Sequence, residues 1–359
     1  MKLAWTLIVA ALIFAACAPS VQPGAKGGES PPASPSPSVS PTPVSAPLTA
    51  SDTTAVVFFH DAANVEQVDG MTWDGAVGQA PAIPDYHAAN PSETLFGTPT
   101  DIRNRKGAVV HSGNYGLKSF TATWADDDVH FCLIEPFDFL GANGVPATLR
   151  VGSAEGGIST IVQVGKIYEQ ATTYVASCSL AGDRAVVVQS GGQGVGAAQY
   201  WVVQLSTGKI LWTHDFSSRG VPTAVVASHD SRYIAENQDI PSGAQTSTIY
   251  AADGSEVMQL NASVAAFSWD GSMAVVFSHQ APAPAWAITM NDRRVLWSAP
   301  VVPRTYVWSA KAEPNGTHLA VALANPANQG PFYSGYPPVD LYLLAADGSA
   351  VTVLKGIYW

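Results

Sequence analysis

The chain has 359 residues, with 28 Asp and Glu against 17 Lys and Arg and a formal net charge of −11 at pH 7. So acidic a balance argues against nucleic acid or anionic lipid as an electrostatic partner. Of its three cysteines, Cys17 stands near the N-terminus, and Cys132 and Cys178 fall in the part read below as folded.

Met1-Lys2 opens the chain, and an apolar and small run from Leu3 to Ala16, relieved only by Thr6, leads to Cys17. One positive charge, an apolar core and small residues before a cut make a signal-peptide layout, and the run is shorter than the roughly 20 residues of a membrane span. Phe14-Ala15-Ala16-Cys17 resembles the bacterial lipobox, although Phe14 stands where that motif prefers an aliphatic residue. The resemblance implies cleavage before Cys17, a lipid thioether on that cysteine, and attachment to a bacterial cell membrane on its extracytoplasmic side.

From Ala18 to Ala50 large apolar residues are almost absent, and Pro31 to Leu48 holds seven prolines, five serines and a threonine. Such a stretch cannot bury enough surface to fold and reads as a semi-rigid, polyproline-like tether. The organisation expected is therefore a signal peptide over 1–16, a lipidated cysteine with a disordered linker over 17–50, and one folded domain over 51–359.

That domain is rich in Val, Trp, Tyr, Thr and Gly and poor in strong helix formers, so an all-β fold is expected. It also repeats. Ser179-Leu-Ala-Gly-Asp-Arg-Ala-Val-Val187, Ser228-His-Asp-Ser-Arg-Tyr-Ile-Ala-Glu236, Ser268-Trp-Asp-Gly-Ser-Met-Ala-Val-Val276 and Glu313-Pro-Asn-Gly-Thr-His-Leu-Ala-Val321 align without a gap, each a tight turn entering an apolar strand. Asp126-Asp127-Asp128 begins a weaker fifth copy. A second turn follows in each unit, at Glu155-Gly156, Thr207-Gly208, Asp253-Gly254, Asn291-Asp292 and Asp347-Gly348.

Two hairpins per unit give four strands, and the first turns of the better copies are 49, 40 and 45 residues apart, counted from Ser179 to Ser228 to Ser268 to Glu313. Four-stranded units at this period predict a β-propeller. Five units occupy about 118–357, and 51–117 holds one large blade or two small ones, for six or seven in all. Leu205-Ser-Thr-Gly-Lys-Ile-Leu-Trp212 resembles the quinoprotein-type repeat, and the first motif is similar to WD40-like repeats of the TolB type. Neither covers the whole chain, so the resemblance implies the fold and not a chemistry. Trp201, Trp212, Trp297 and Trp308 fall at strand positions and are read as packing between blades.

The turns from strand one to two and from three to four should share one face, where they are short. The other face should carry long connections at Glu135 to Val145, Ser190 to Gln199, Gln238 to Thr246, His279 to Pro284 and Pro326 to Pro338. Loops lengthened on one side of a rigid scaffold point to binding. The ligand candidates on that face are Gln193, Asp239, His214, Asp215, His279, Tyr333 and Tyr336. His214-Asp215 is placed in a connection from strand four to strand one. His229-Asp230 occupies the hairpin slot of Trp269-Asp270 and reads as a turn, and Asp126 to Asp128 lacks the glycine and glutamate of an EF-hand.

The histidines are scattered singly, so no metal site is expected. Gly192-Gln-Gly194-Val-Gly-Ala197 satisfies a bare dinucleotide pattern but leads into a strand, not the helix N-terminus that pyrophosphate binding requires. Neither a catalytic residue nor a cofactor is expected. Cys132 and Cys178, read into the second strand of one unit and the first strand of the next, are a candidate disulfide, with two separate buried thiols as the alternative. The function expected is a monomeric, membrane-anchored binding module for a protein, peptide or glycan. The alternative is a propeller enzyme of quinoprotein-like or hydrolase/lyase type with a ligand in the central channel.

Overall fold

The computed structural model describes residues 56–61, 64–79, 88–116, 118–136, 144–167, 171–191, 198–215, 223–239, 245–278, 285–301, 305–324 and 337–359. The signal peptide and linker read from the sequence lie outside them.

The described residues form an all-β propeller of seven antiparallel sheets. Blade 1 comprises β1 (Val56–Asp61), β2 (Asn64–Thr72) and β3 (Val77–Gln79); blade 2 comprises β4 (Leu95–Gly97), β5 (Asp101–Asn104) and β6 (Val109–Ser112). Blade 3 runs through β7 (Thr123–Trp124), β8 (His130–Glu135), β9 (Val145–Ser153) and β10 (Ile158–Ile167), and blade 4 through β11 (Ala171–Ser179), β12 (Arg184–Gly191), β13 (Ala198–Gln204) and β14 (Ile210–Asp215). Blade 5 has β15 (Thr223–Ala227), β16 (Tyr233–Asp239), β17 (Gln245–Ala251) and β18 (Glu256–Leu260); blade 6 has β19 (Ser263–Phe267), β20 (Met273–Phe277), β21 (Ala285–Thr289) and β22 (Val295–Ser298). Blade 7 closes the series with β23 (Tyr306–Ala312), β24 (Leu319–Ala324), β25 (Val339–Leu344) and β26 (Ala350–Ile357).

The first two sheets have three strands each, and isolated bridges stand at their inner positions: Ala89 pairs with Phe96 of β4, and Tyr358 pairs with His60 of β1. Blade 1 is thus assembled from both ends of the described chain. The count of seven resolves the six-or-seven expectation.

Local chemistry explains the repeat. In the turn from the third to the fourth strand, the amides of Gly75, Gly107, Gly156, Gly208, Gly254, Arg293 and Gly348 donate back to the residue three or four places earlier. All seven have φ between 60° and 109°, the left-handed region that glycine enters without a Cβ penalty. The turns from the first to the second strand have their own left-handed residue, Glu93, Asp128, Asp183, Ser231, Gly271 or Asn315, in blades 2 to 7.

The turn glycines also set the order of the ring. A Cβ on Gly208 would meet Ile161 of β10, one on Gly254 would meet Trp212 of β14, and one on Gly348 would meet Leu296 of β22. Each turn therefore leans on the outer strand of the preceding blade. Gly75 of blade 1 leans in the same way on Val351 and Thr352 of β26, so blade 1 follows blade 7 and the circle closes.

Packing matches this geometry. The middle strands, such as β24 and β25, are buried on both faces between neighbours, whereas outer strands such as β14 and β22 have no fully buried residue. Six apolar clusters each join two consecutive blades: 7 with 1, 2 with 3, 3 with 4, 4 with 5, 5 with 6 and 6 with 7. Trp201, Trp212, Trp297 and Trp308 lie in or against these clusters. Removing apolar area from water in this way is the main favourable contribution to the fold. Cys132 of β8 is bonded to Cys178 of β11, with 5.8 Å between their Cα atoms, so a covalent link ties blade 3 to blade 4.

Candidate functional site

The innermost strand of each blade faces the central channel, and small side chains dominate there. Ala88, Ala89, Ala122, Ala176, Ala227, Ala265, Ala266, Ala310 and Ala312 are among the residues that wall a cavity of about 500 Å³. Methyl groups at these positions let the inner segments of blades 2 to 7 approach one another while leaving an open bore; larger side chains would fill it.

Among the described residues, one lysine and no arginine line this bore. Lys311 of β23 places Nζ 2.5 Å from Glu93 Oε1, and the Glu93 side chain is only 1 % exposed. Blades 7 and 2 flank blade 1, whose inner position is held by the Tyr358 bridge, so this ion pair links the two blades on either side of it. Arg105 supports the carboxylate's loop by donating Nε to the Glu93 carbonyl at 2.7 Å. Asn90 fixes the same loop by accepting from the amides of Thr94 and Leu95 at 2.8 and 3.0 Å.

At the short-turn face the bore opens into a second cavity of about 450 Å³, bordered by Asp126, Asp127, Asp230, Asp270, Ser179 and Asn315 among others. His229 and Trp269 line both cavities. They hold equivalent places in the first turns of blades 5 and 6, and their rings stack with centroids 3.3 Å apart and planes at 29°. Burial pushes the His229 imidazole down to about 4, against the opposing pull of Asp126 and Asp230, so the ring is neutral at neutral pH.

The aspartates of this mouth are fixed by turns, Asp126 by the neighbouring turn of blade 4 and Asp270 by its own. Asp126 accepts from the Ser179 hydroxyl at 2.7 Å and from the Leu180 amide at 2.8 Å. Asp270 accepts from the hydroxyls of Ser268 and Ser272 at 2.7 and 2.8 Å and from the Ser272 amide at 3.0 Å. Burial works against the charged form of Asp127 and Asp270, but these turn hydrogen bonds outweigh it and hold both carboxyls below the usual range. Asp230 is matched by Arg232, which forks onto it through Nε at 2.9 Å and Nη2 at 2.8 Å, and Asp127 by His130 at 2.5 Å. The sequence reading of His229-Asp230 and Asp126 to Asp128 as turns describes their backbone, but it missed that these turns converge on the channel. The signal was present: His229 and Trp269 align one repeat apart, so they must be neighbours around the axis.

The long-loop candidates fare differently. Gln193, His279, Tyr333 and Tyr336 lie outside the described residues, as does Cys17. Asp239 ends β16, where its backbone pairs with Gln245. His214 and Asp215 require a correction: they belong to the outer strand β14, paired with Tyr200 and Gln199, and not to a connection between blades. β14 continues two residues further than its apolar pattern suggested because the ladder with β13 continues. The His214 ring packs within 5.2–5.4 Å of Tyr200, Trp212 and Tyr250, and its Nε2 lies 3.0 Å from Glu236 Oε2. Glu236 is fully buried in β16. His214 is therefore part of the seam between blades 4 and 5, not of an open rim. Among the described residues, no three His, Cys, Asp or Glu side chains gather as metal ligands.

No protein-family model matches the chain, and no curated protein matches it. Solved structures similar to it include a putative TolB from Agrobacterium tumefaciens, 14 % identical over 70 % of this chain and 86 % of that one, with a TM-score of 0.40. They also include an oligogalacturonate lyase in complex with manganese, 10 % identical over 71 % of this chain and 79 % of that one, with a TM-score of 0.47.

Proposed function

We propose that the chain is an exported binding module, lipidated on Cys17 and tethered by its Pro/Ser-rich linker to the extracytoplasmic side of a bacterial membrane, and that the rim opposite the short turns takes a protein, peptide or glycan. The observation that carries this reading is the unequal length of connections on the two faces. Between second and third strands, five consecutive blades are joined through 136–144, 192–197, 240–244, 278–284 and 325–338. The same connection in blade 1 spans only 62–63, and in blade 2 only 98–100. Among the described residues, turns at the other end are closed by backbone hydrogen bonds between residues three to five places apart. A rigid ring that lengthens its loops on one face of adjacent blades builds a contiguous surface there, and lengthening is entropically mild.

Two experiments test the two halves. Palmitate labelling should mark the wild type and not Cys17→Ala; an unlabelled wild type would reduce the anchor to a secretion signal. For binding, the detergent-solubilised chain would be probed with panels of envelope glycans and peptides, beside a variant whose 326–336 segment is replaced by a short Gly-Ser linker. The reading expects a ligand held by the wild type and lost by the loop variant. A ligand held equally by both, or none from either panel, counts against the rim.

A further inference from the structure

Where the bore meets the short-turn mouth, the chain leaves a ring nitrogen unsatisfied. His229 lines both cavities, and its Nε2 is buried with no hydrogen-bond partner among the described residues. Other polar side chains of the bore wall have their partners within the chain. Asn90 accepts from the amides of Thr94 and Leu95 and donates to the Asp128 carbonyl at 2.8 Å. The Thr123 hydroxyl donates to the Val175 carbonyl at 2.7 Å, and Trp124 Nε1 donates to the Ala88 carbonyl at 2.8 Å. Lys311 is matched by Glu93. A buried ring nitrogen without a partner forgoes a hydrogen bond that water would supply, and such a group calls for an explanation. Its surroundings are apolar: Phe120, Trp124, Phe267 and Trp269 share the wall with the alanines, and Trp269 stacks on the His229 ring.

We infer that the bore binds a neutral, flat aromatic molecule carrying a hydroxyl, with the hydroxyl bonded to His229 Nε2 and the ring held among the aromatic and methyl groups of the wall. Size, charge and polarity together select this class. A cavity of about 500 Å³ lies in the ordinary range of small-molecule sites, which are apolar with a few placed polar groups. An anion would have to pass the four aspartates of the mouth and would find Lys311 already paired. A cation would give up its hydration against a wall that carries no carboxylate. Sugars and peptides bring more polar groups than this wall can pair. A hydroxyl both donates and accepts, so it suits either tautomer of the neutral His229 ring. The aromatic body gains offset or edge contacts with the four rings around it. This site is separate from the long connections and stands whether or not they are used.

The probe is 1-naphthol, against naphthalene, which lacks the hydroxyl, and 1-naphthoate, which puts a charge in its place. Binding is measured by equilibrium dialysis of the full-length protein in detergent, with the same detergent alone as the blank for partition into micelles. 1-Naphthol should bind about fivefold or more tightly than naphthalene, the effect of one hydrogen bond to a buried group. 1-Naphthoate should bind at least about 10-fold more weakly than 1-naphthol. His229→Phe keeps an aromatic ring in place without its nitrogens, and should erase the advantage of 1-naphthol over naphthalene. Ala227→Leu with Ala310→Leu fills the bore and should weaken 1-naphthol by about 10-fold or more. Ala310→Val reads the same loss in smaller degree if the double variant does not fold. Replacing 326–336 by the Gly-Ser linker should change 1-naphthol binding by less than about twofold, which separates this site from the rim. No binding of 1-naphthol, equal binding of 1-naphthol and naphthalene, an advantage that survives His229→Phe, or binding indifferent to a filled bore would overturn the assignment.

Discussion

His60 and Tyr358 exchange two backbone hydrogen bonds, with the His60 amide donating to the Tyr358 carbonyl at 2.7 Å and the Tyr358 amide donating to the His60 carbonyl at 2.9 Å. Almost 300 residues separate them in sequence, yet this pair joins the first blade to the last. Tyr358 is 2 % exposed, and Ile357 and Trp359 beside it contribute to the cluster that packs blade 1 on blade 7.

Tyr358→Ala should therefore destabilise the whole ring and not a frayed end. Truncating a buried aromatic of this size costs about 3–5 kcal/mol. Urea unfolding followed by tryptophan fluorescence should show one transition at a lower midpoint. An unchanged midpoint would mean that the ring does not rely on this closure.

The Cys132–Cys178 bond closes a loop over a sequence separation of 46 residues. By chain entropy, a loop of this size restrains the unfolded chain by about 3–4 kcal/mol. Cys132→Ser with Cys178→Ser should lower the melting temperature by several degrees and abolish the mobility difference between reduced and unreduced protein on electrophoresis. Cys132 and Cys178 are both fully buried, so the seam between blades 3 and 4 should be the first to lose hydrogen-exchange protection.

Arg293 tests the turn rule in reverse. It has φ 60° where the other six third-to-fourth turns carry glycine. Arg293→Gly should be neutral or stabilising by up to about 1 kcal/mol, because a left-handed conformation strains any residue with a Cβ. Gly254→Ala should do the opposite, since the added methyl would stand 2.6 Å from Trp212 at φ 87°. A loss of about 2 kcal/mol is expected from strain and overpacking together. Paired thermal melts of the two variants give the sign of each effect.

His229 gives the fold a pH dependence with a defined direction. Its ordinary value of 6.5 falls to about 4 in the folded chain. Between these limits the unfolded chain takes up the proton and the folded chain resists it, so the contribution of His229 is full above about 6.5 and is lost as the pH falls towards 4. Wild type and His229→Gln, compared by urea unfolding from pH 7 to pH 4, should diverge by about 1–2 kcal/mol once the partial exposure of the ring is allowed for. Carboxylate titrations common to both cancel in the difference. Parallel curves would show that the ring is solvated.

Read as a string, the chain already contains its strands, because Val- and Thr-rich runs between left-handed turn residues leave few other conformations. It contains five of the seven blades, because Asp-Gly, Thr-Gly and similar turns recur between recognisable apolar runs. Two further copies, Asp74-Gly75 and Lys106-Gly107, were equally visible as dipeptides, but strands beside them are short: β3 after the first has three residues, and β5 and β6 around the second have four each. Too little apolar pattern surrounds them to count as a repeat. The opposite failure occurred at His214, where a polar pair looked like the start of a loop although the ladder with β13 extends to Asp215. What only the tertiary structure decided is which residues meet across blades. Closure through Tyr358, the Lys311–Glu93 pair across the bore and the stack of His229 on Trp269 join residues whose separations in sequence range from 40 to 298. A repeat period sets the place of each turn within its own blade, but the curvature that brings these turns to one axis arises from packing between sheets, and no single repeat encodes it.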